Sequence, residues 1–240
     1  MASAAEQLAA NLNFGAFNKA TELKKRLWFT LGALIIYRLG TYIPMPGIDP
    51  VILKDIFRQQ AGGILGMFNM FAGGALGRMT IFALNIMPYI SAAIIMQLMT
   101  SISPTMSQLK KEGAQGQKKI NQYTRYLTVL IAAMQAYGMA VGIEGMRGTG
   151  GSAVISPGGF FRFTAVITLV GGTMFLMWLG EQITARGVGN GISLIIFAGI
   201  VAELPSALAG TLELGRTGAI STGIIMAILI MVVFVIYGIV

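Results

Sequence analysis

The 240 residues include no cysteine and no histidine. Those two absences exclude disulfides, thiolate nucleophiles, serine–histidine triads, imidazole proton shuttles and the usual zinc sites. Charge is scarce as well. Only 11% of the residues are charged, against about 25% in a soluble domain. A water-soluble globule of this length would lack the polar surface to cover itself. The nine carboxylates are scattered, and most lie outside the apolar runs. Glu203 is the one acid inside such a run, close to its end, whereas a proton-relay carboxylate belongs nearer the middle of a span. No catalytic constellation, metal site or cofactor site is visible, so the chain reads as a non-enzyme.

What is abundant points to a membrane. Hydrophobic residues make up 55% of the chain, glycine 32 residues and methionine 16. Small residues let helices approach closely in a bilayer. Six apolar runs come near the length of about 20 residues that a bilayer requires: Trp28–Ile43, Met79–Met99, Tyr126–Ile143, Phe163–Leu179, Ile192–Leu208 and Ala219–Val240. Polar residues collect between them, and the ten-residue dyad pattern of a β-barrel is absent. The expected fold class is all-α, a polytopic helical membrane protein. The sixth run ends without a polar flank, which reads as a piece of a longer chain.

The net charge of +8 is explained by where the cations fall. Lys19, Lys24, Lys25, Arg26, Lys110, Lys111, Lys118, Lys119, Arg125 and Arg186 lie on one side of the expected membrane. Lys54, Arg58, Arg78, Arg147, Arg162 and Arg216 lie on the other. Ten against six places the N-terminus and the lysine-rich loop in the cytoplasm. Residues 1–23 lack the apolar core of a cleavable signal. Leu8, Leu12 and Phe17 with Lys19 suit a helix lying on the membrane surface; the alternative is a frayed polar tail. The basic stretch 113–119 reads as a solvated loop, suited to anionic lipid, RNA or an acidic protein face.

Three segments depart from simple spans. Ile43-Pro44-Met45-Pro46-Gly47 stops a helix and turns the chain. Residues 62–74 form a short apolar stretch bracketed by glycine pairs, too short to span. It reads either as a re-entrant half-helix or as a loop packed on the outer leaflet, and the glycines leave hinges on both sides. Pro88, expected in mid-helix, predicts a kink. Ile86 and Ile90 share a helix face, and Ile192 and Ile196 repeat the spacing. Such pairs are ordinary core packing or, functionally, a dry constriction that excludes ions. The stretch Gly180–Gly191 lacks the strand, spacing and lysine of a phosphate loop. It reads as a tight turn with Asn190 capping the next helix.

The residues then match a known family. Phe82-Ala83-Leu84-Asn85-Ile86-Met87-Pro88-Tyr89-Ile90-Ser91 and its continuation to Met99 resemble one long signature of the SecY family of protein-translocon channels. Met177-Trp178-Leu179-Gly180-Glu181-Gln182-Ile183-Thr184-Ala185-Arg186-Gly187-Val188-Gly189-Asn190-Gly191-Ile192-Ser193 resembles a second. Ile43–Asp49, Met67–Phe71, Lys110–Gly113 and Gln122–Tyr126 are also similar, and the likeness runs from about Leu23 to the end.

The resemblance implies a SecY-type fold of two inverted-repeat halves, with six of ten spans in this chain. It divides the chain into a cytoplasmic N-terminal segment (1–23), the first half of a channel (24–208, with a plug near 64–77), and an external loop with the sixth span (209–240). It implies a channel that passes unfolded secretory polypeptides and releases signal or transmembrane segments sideways into the bacterial cytoplasmic membrane. It assigns Ile86, Ile90, Ile192 and Ile196 to a pore ring. Gly66, Met67, Phe68, Asn69, Met70, Phe71, Ala72, Gly73, Gly74 and Ala75 form the plug. Ser91 and Gln135 are lateral-gate positions, and Lys110, Lys111, Lys118, Lys119 and Arg186 serve cytoplasmic docking. Implied partners are SecE and SecG, the SecA ATPase or a ribosome, signal peptides and nascent chains, and anionic lipid, with YidC or SecDF as further candidates. No cofactor is implied. The competing classes are half of a secondary transporter with broken helices, which calls for a central coupling carboxylate, and a structural scaffold without a gated pore.

Overall fold

The computed structural model describes residues 21–59, 69, 72–148, 151–216, 223, 230 and 231. The long helices follow the apolar runs, with non-helical segments between them. In chain order the elements are α1 (Thr21–Gly40), α2 (Pro50–Gln59), α3 (Met87–Ile102), α4 (Pro104–Lys111), α5 (Ala114–Gly145), the two-residue strands β1 (Arg147–Gly148) and β2 (Gly151–Ser152), α6 (Gly159–Arg186) and α7 (Gly191–Arg216). The sixth expected span lies outside the described residues apart from Gly223, Ile230 and Met231.

Each long helix buries a narrow stripe and exposes a broad apolar back. On α5 the buried positions are Gly116, Ile120, Thr124, Thr128, Ala132, Ala136, Ala140 and Ile143. They recur at three or four residues, which keeps them on one face. Apart from the two isoleucines they are small, so α6 and α3 can lie close against α5. The threonines carry little polar cost, because Thr124 donates to the Ile120 carbonyl at 2.9 Å and Thr128 to the Thr124 carbonyl at 2.7 Å. The opposite faces expose Tyr126, Leu130, Met134 and Tyr137 on α5, and Trp28, Leu31, Ile35 and Leu39 on α1. In water such faces would drive aggregation; against lipid they match their solvent. Among the described residues, α5, α6 and the part of α7 over Gly191–Gly210 are long and apolar enough to cross a membrane.

Several expectations need correction. The second apolar run is helical only from Met87. Pro88 lies in the first turn of α3, where its missing N–H breaks no helical bond, so no kink arises there. Residues 72–86 form successive tight turns, with φ of +45° at Met79 and +51° at Asn85. That backbone is buried, a setting in which irregular chain is tolerated at membrane depth. Its polar groups are used: Thr80 N donates to Ala75 O at 3.0 Å, and Ala83 N to Thr80 O at 2.9 Å. The basic stretch after Gly113 is helix, because α5 begins at Ala114. Similarly, α6 continues to Arg186, and only residues 187–190 form the turn. Asn190 caps α7 as expected, its Oδ1 accepting the N–H groups of Ile192 and Ser193 at 3.1 and 3.3 Å.

The proline segment after α1 is zipped between two neighbours. Met45 N donates to Met79 O at 2.9 Å, and Ile81 N to Ile43 O at 3.1 Å. On its other side Asp49 N donates to Ala153 O at 3.0 Å, and Ile155 N to Gly47 O at 3.1 Å. Asp49 then caps α2 by accepting from Val51 N at 2.9 Å and Ile52 N at 3.3 Å.

Candidate functional site

Two apolar clusters divide the interior. One gathers Ala33 and Tyr37 of α1, Phe82 and Ile86, Leu176, Leu179 and Ile183 of α6, and Ile195 of α7, with Tyr89, Ile90 and Ile192 packed against it. Of the isoleucines expected to form a ring, Ile86 is 1% exposed, while Ile90 and Ile192 are half-buried within the same cluster. Ile196 is half-buried but stands outside it. The fully buried isoleucine on α7 is Ile195, at 0% exposure. The buried positions Gly191, Ile195 and Gly199 repeat every four residues, so the inward stripe of α7 runs one position away from Ile192 and Ile196.

Ser91 and Gln135 are brought together. Both line an apolar cavity of about 590 Å³ between α3, α5 and the 72–87 segment, together with Phe57, Leu76, Asn85 and Met139. Of the expected plug, Asn69 and Ala72, Gly73, Gly74 and Ala75 are described; Gly66, Met67, Phe68, Met70 and Phe71 lie outside the described residues. Asn69 organises the turn that follows: its carbonyl accepts from Gly74 N at 2.9 Å, and its Oδ1 from Gly77 N at 2.6 Å. Gly73 and Gly74 have φ of +61° and +77°, a region that favours glycine. Beside them Arg38 and Arg78 lie over the Tyr42 ring, at 5.3 and 4.4 Å from its centroid.

The basic residues gather at one end. Lys110 and Lys111 close α4, Lys118 and Lys119 open α5, and Arg186 closes α6, all exposed. Arg125 and Glu181 tie α5 to α6 near that end through bonds of 3.1 and 2.7 Å. Arg162 Nε and Glu144 Oε2, 2.6 Å apart, tie them at the other end. Sequence reasoning missed both ion pairs, which link residues 56 and 18 positions apart; spacing alone carries no signal for them.

These elements define a class: a multi-pass helical membrane protein in which an apolar cluster adjoins buried, non-helical backbone. The SecY family model matches residues 80–240. The protein translocase subunit SecY of Escherichia coli (strain K12) is 56% identical over 211 residues, covering 88% of this chain and 47% of that protein. Those of Haemophilus influenzae and Rickettsia typhi are 54% and 55% identical over 220 and 217 residues, covering 91% and 90% of this chain and 49% and 50% of theirs. The chain belongs to the SecY family. It spans about half the length of the curated relatives it matches. In fold it is similar to Sec61 in the canine ribosome–channel complex from the endoplasmic reticulum and to a chain from the structure of a protein conducting channel. Each gives a TM-score of 0.53 at 21% identity, covering 80% of this chain and 38% of the other.

Proposed function

We propose that this chain supplies the first half of a channel that moves unfolded polypeptides across the bacterial cytoplasmic membrane and releases apolar segments sideways into lipid. Its division at residues 23 and 208 follows that reading. The observation that carries it is the apolar cluster that joins Ile86 and Ile90 to Ile192, with Ile196 half-buried one turn further along α7. A ring of this kind stays dry when closed, because a narrow apolar constriction disfavours water and ions. It also seals around a passing chain without sequence-specific bonds that would stall it. The segment 66–75 is the plug, hinged at Gly73 and Gly74. Ser91 and Gln135, which line one cavity, are lateral-gate positions, where polar side chains lower the cost of parting α3 and α5 together from the other half of the channel.

The N-terminus and the basic end face the cytoplasm in this reading, as the lysine and arginine bias favours. Lys110, Lys111, Lys118, Lys119 and Arg186 then meet a ribosome, SecA or anionic lipid. SecE and SecG complete the channel, with YidC or SecDF as further partners. The energy comes from the ribosome or the ATPase.

Ion conductance of the full-length protein in planar bilayers tests the ring. Ile86→Gly and Ile196→Gly are expected to raise the leak of the resting channel several-fold, and Ile195→Gly, whose side chain is buried in the core, to raise it less. Equal and unchanged conductance in all three sinks the ring. Deleting residues 66–75 tests the plug separately: a channel that neither leaks nor changes its secretion has no plug there.

A further inference from the structure

Two guanidinium groups converge on one pair of glycines. Arg38, from α1, donates through Nη1 to the Gly73 carbonyl at 3.1 Å. Arg78 donates through Nη2 to the same carbonyl at 3.0 Å, and through Nε to the Gly74 carbonyl at 3.0 Å. The planar fork of arginine suits this, since one side chain spans two successive carbonyls. Helix α7 closes the other side. A Cβ added to Gly73 would stand 3.0 Å from Gly199 Cα. A Cβ added to Gly74 would stand 2.5 Å from both Arg78 Nη2 and Glu203 Oε1. Elements from α1, from the hinge itself and from α7 therefore meet at a single turn of chain.

The charges at this point balance one another. Two cations sharing one carbonyl repel, and that repulsion has to be offset. The Glu203 carboxylate lies beside Arg78 across Gly74. The face of Tyr42 lies under both guanidiniums, and Arg38 Nη2 donates to the Tyr42 hydroxyl at 3.4 Å. Charge-assisted bonds are roughly twice as strong as neutral ones, and stronger still where water is scarce. Glycine is required at both acceptor positions, for the positive φ and for the space.

We propose that Arg38, Arg78 and Glu203 are positioning residues, a latch that holds the Gly73–Gly74 hinge against α1 and α7 and so keeps the channel shut at rest. This rests on the reading of residues 66–75 as the plug. Displacing the plug through that hinge requires both arginines to release their carbonyls, and moving α7 away from α1 removes the wall against which the hinge is held. A helix movement on one side is thereby linked to plug release on the other.

Resting conductance of the full-length protein, assembled with its native subunits in planar bilayers, is the readout. Arg78→Gln loses two bonds to the hinge and is expected to raise resting conductance by roughly tenfold, the order expected for losing charge-assisted bonds. Arg38→Gln loses one and should raise it less. Introduced into the channel that already lacks residues 66–75, the same substitutions should add nothing, because their acceptors are gone. A purely structural role for the arginines would instead add leak in both backgrounds, and that result overturns the latch. Wild-type tightness in Arg38→Gln and Arg78→Gln also overturns it, while a leaking deletion leaves the plug standing. A deletion that does not leak removes the plug, and the latch with it. Should Arg78→Gln fail to assemble, Glu203→Gln keeps the shape of the side chain and removes its charge. Its leak should be smaller, and should vanish in the deletion background; tightness equal to wild type counts against the latch.

Discussion

At Gly172 the fit between neighbours is close enough to be decisive. A Cβ there would collide with the carbonyl oxygen of Ile81, in the buried turn before α3, and Gly40 of α1 would collide in the same way with the Phe82 ring. These two glycines leave the slot through which residues 81 and 82 pass between α1 and α6. Phe82 fills it, stacked on Tyr37 at 6.3 Å and on Phe175 at 5.8 Å between centroids. A clash with a ring is relieved by rotation, whereas a carbonyl held in a turn cannot retreat. Gly172→Leu is therefore expected to cost about 3 kcal/mol, the upper part of the range for overpacking. Thermal denaturation of the assembled complex measures it, and a loss below about 1 kcal/mol would mean that the turn moves freely.

Among the elements, two prolines invert the expectation drawn from their surroundings. Pro88 stands amid an apolar run but occupies the first turn of α3. Pro205 stands near the end of the fifth apolar run, yet α7 continues past it to Arg216. A first-turn proline removes an N–H that would be unpaired in any case, while an interior one removes a helical bond. Pro88→Ala should thus change stability by less than about 1 kcal/mol, and Pro205→Ala should raise it by about 1 kcal/mol or more. Melting curves of the two variants decide the matter, and a large loss in Pro88→Ala would contradict the helix start at Met87.

The same comparison explains what could be read in advance. Helices α5, α6 and α7 were legible because length and apolarity suffice to specify a span. The turns over residues 79–86 were not, because Met79-Thr80-Ile81-Phe82-Ala83-Leu84 has the composition of a helix; its path is set by Ile43 and Met45, which pair with it from far along the chain. The spacing of Ile86 with Ile90 and of Ile192 with Ile196 marked shared helix faces, but that Ile195 is the fully buried isoleucine of α7 needed the rotation of that helix. The contact of Arg38 with Gly73 crosses 35 positions and leaves no local pattern.

For the molecule as a whole, the proposed orientation rests on the basic end. Helix α5 has 32 residues, about 48 Å at 1.5 Å per residue, against a hydrocarbon core of about 30 Å. The surplus carries Lys118 and Lys119, and the far end of α5 is held to the start of α6 by Glu144 and Arg162. Because α5 and α6 run antiparallel, a marker early in α5 and one at the start of α6 must appear on opposite sides of the membrane. The cysteine-free sequence makes that measurable, since an introduced cysteine is the only thiol within these 240 residues. Gln117→Cys and Phe160→Cys both replace exposed side chains, Phe160 at 86%. With a thiol reagent that cannot cross the membrane, Gln117→Cys should label in inverted vesicles of the cytoplasmic membrane, and Phe160→Cys in intact cells stripped of their outer barrier. The reverse pattern would invert the proposed topology and move the lysine-rich end away from any ribosome or ATPase. Labelling of both from one side would contradict the antiparallel crossing of α5 and α6 itself.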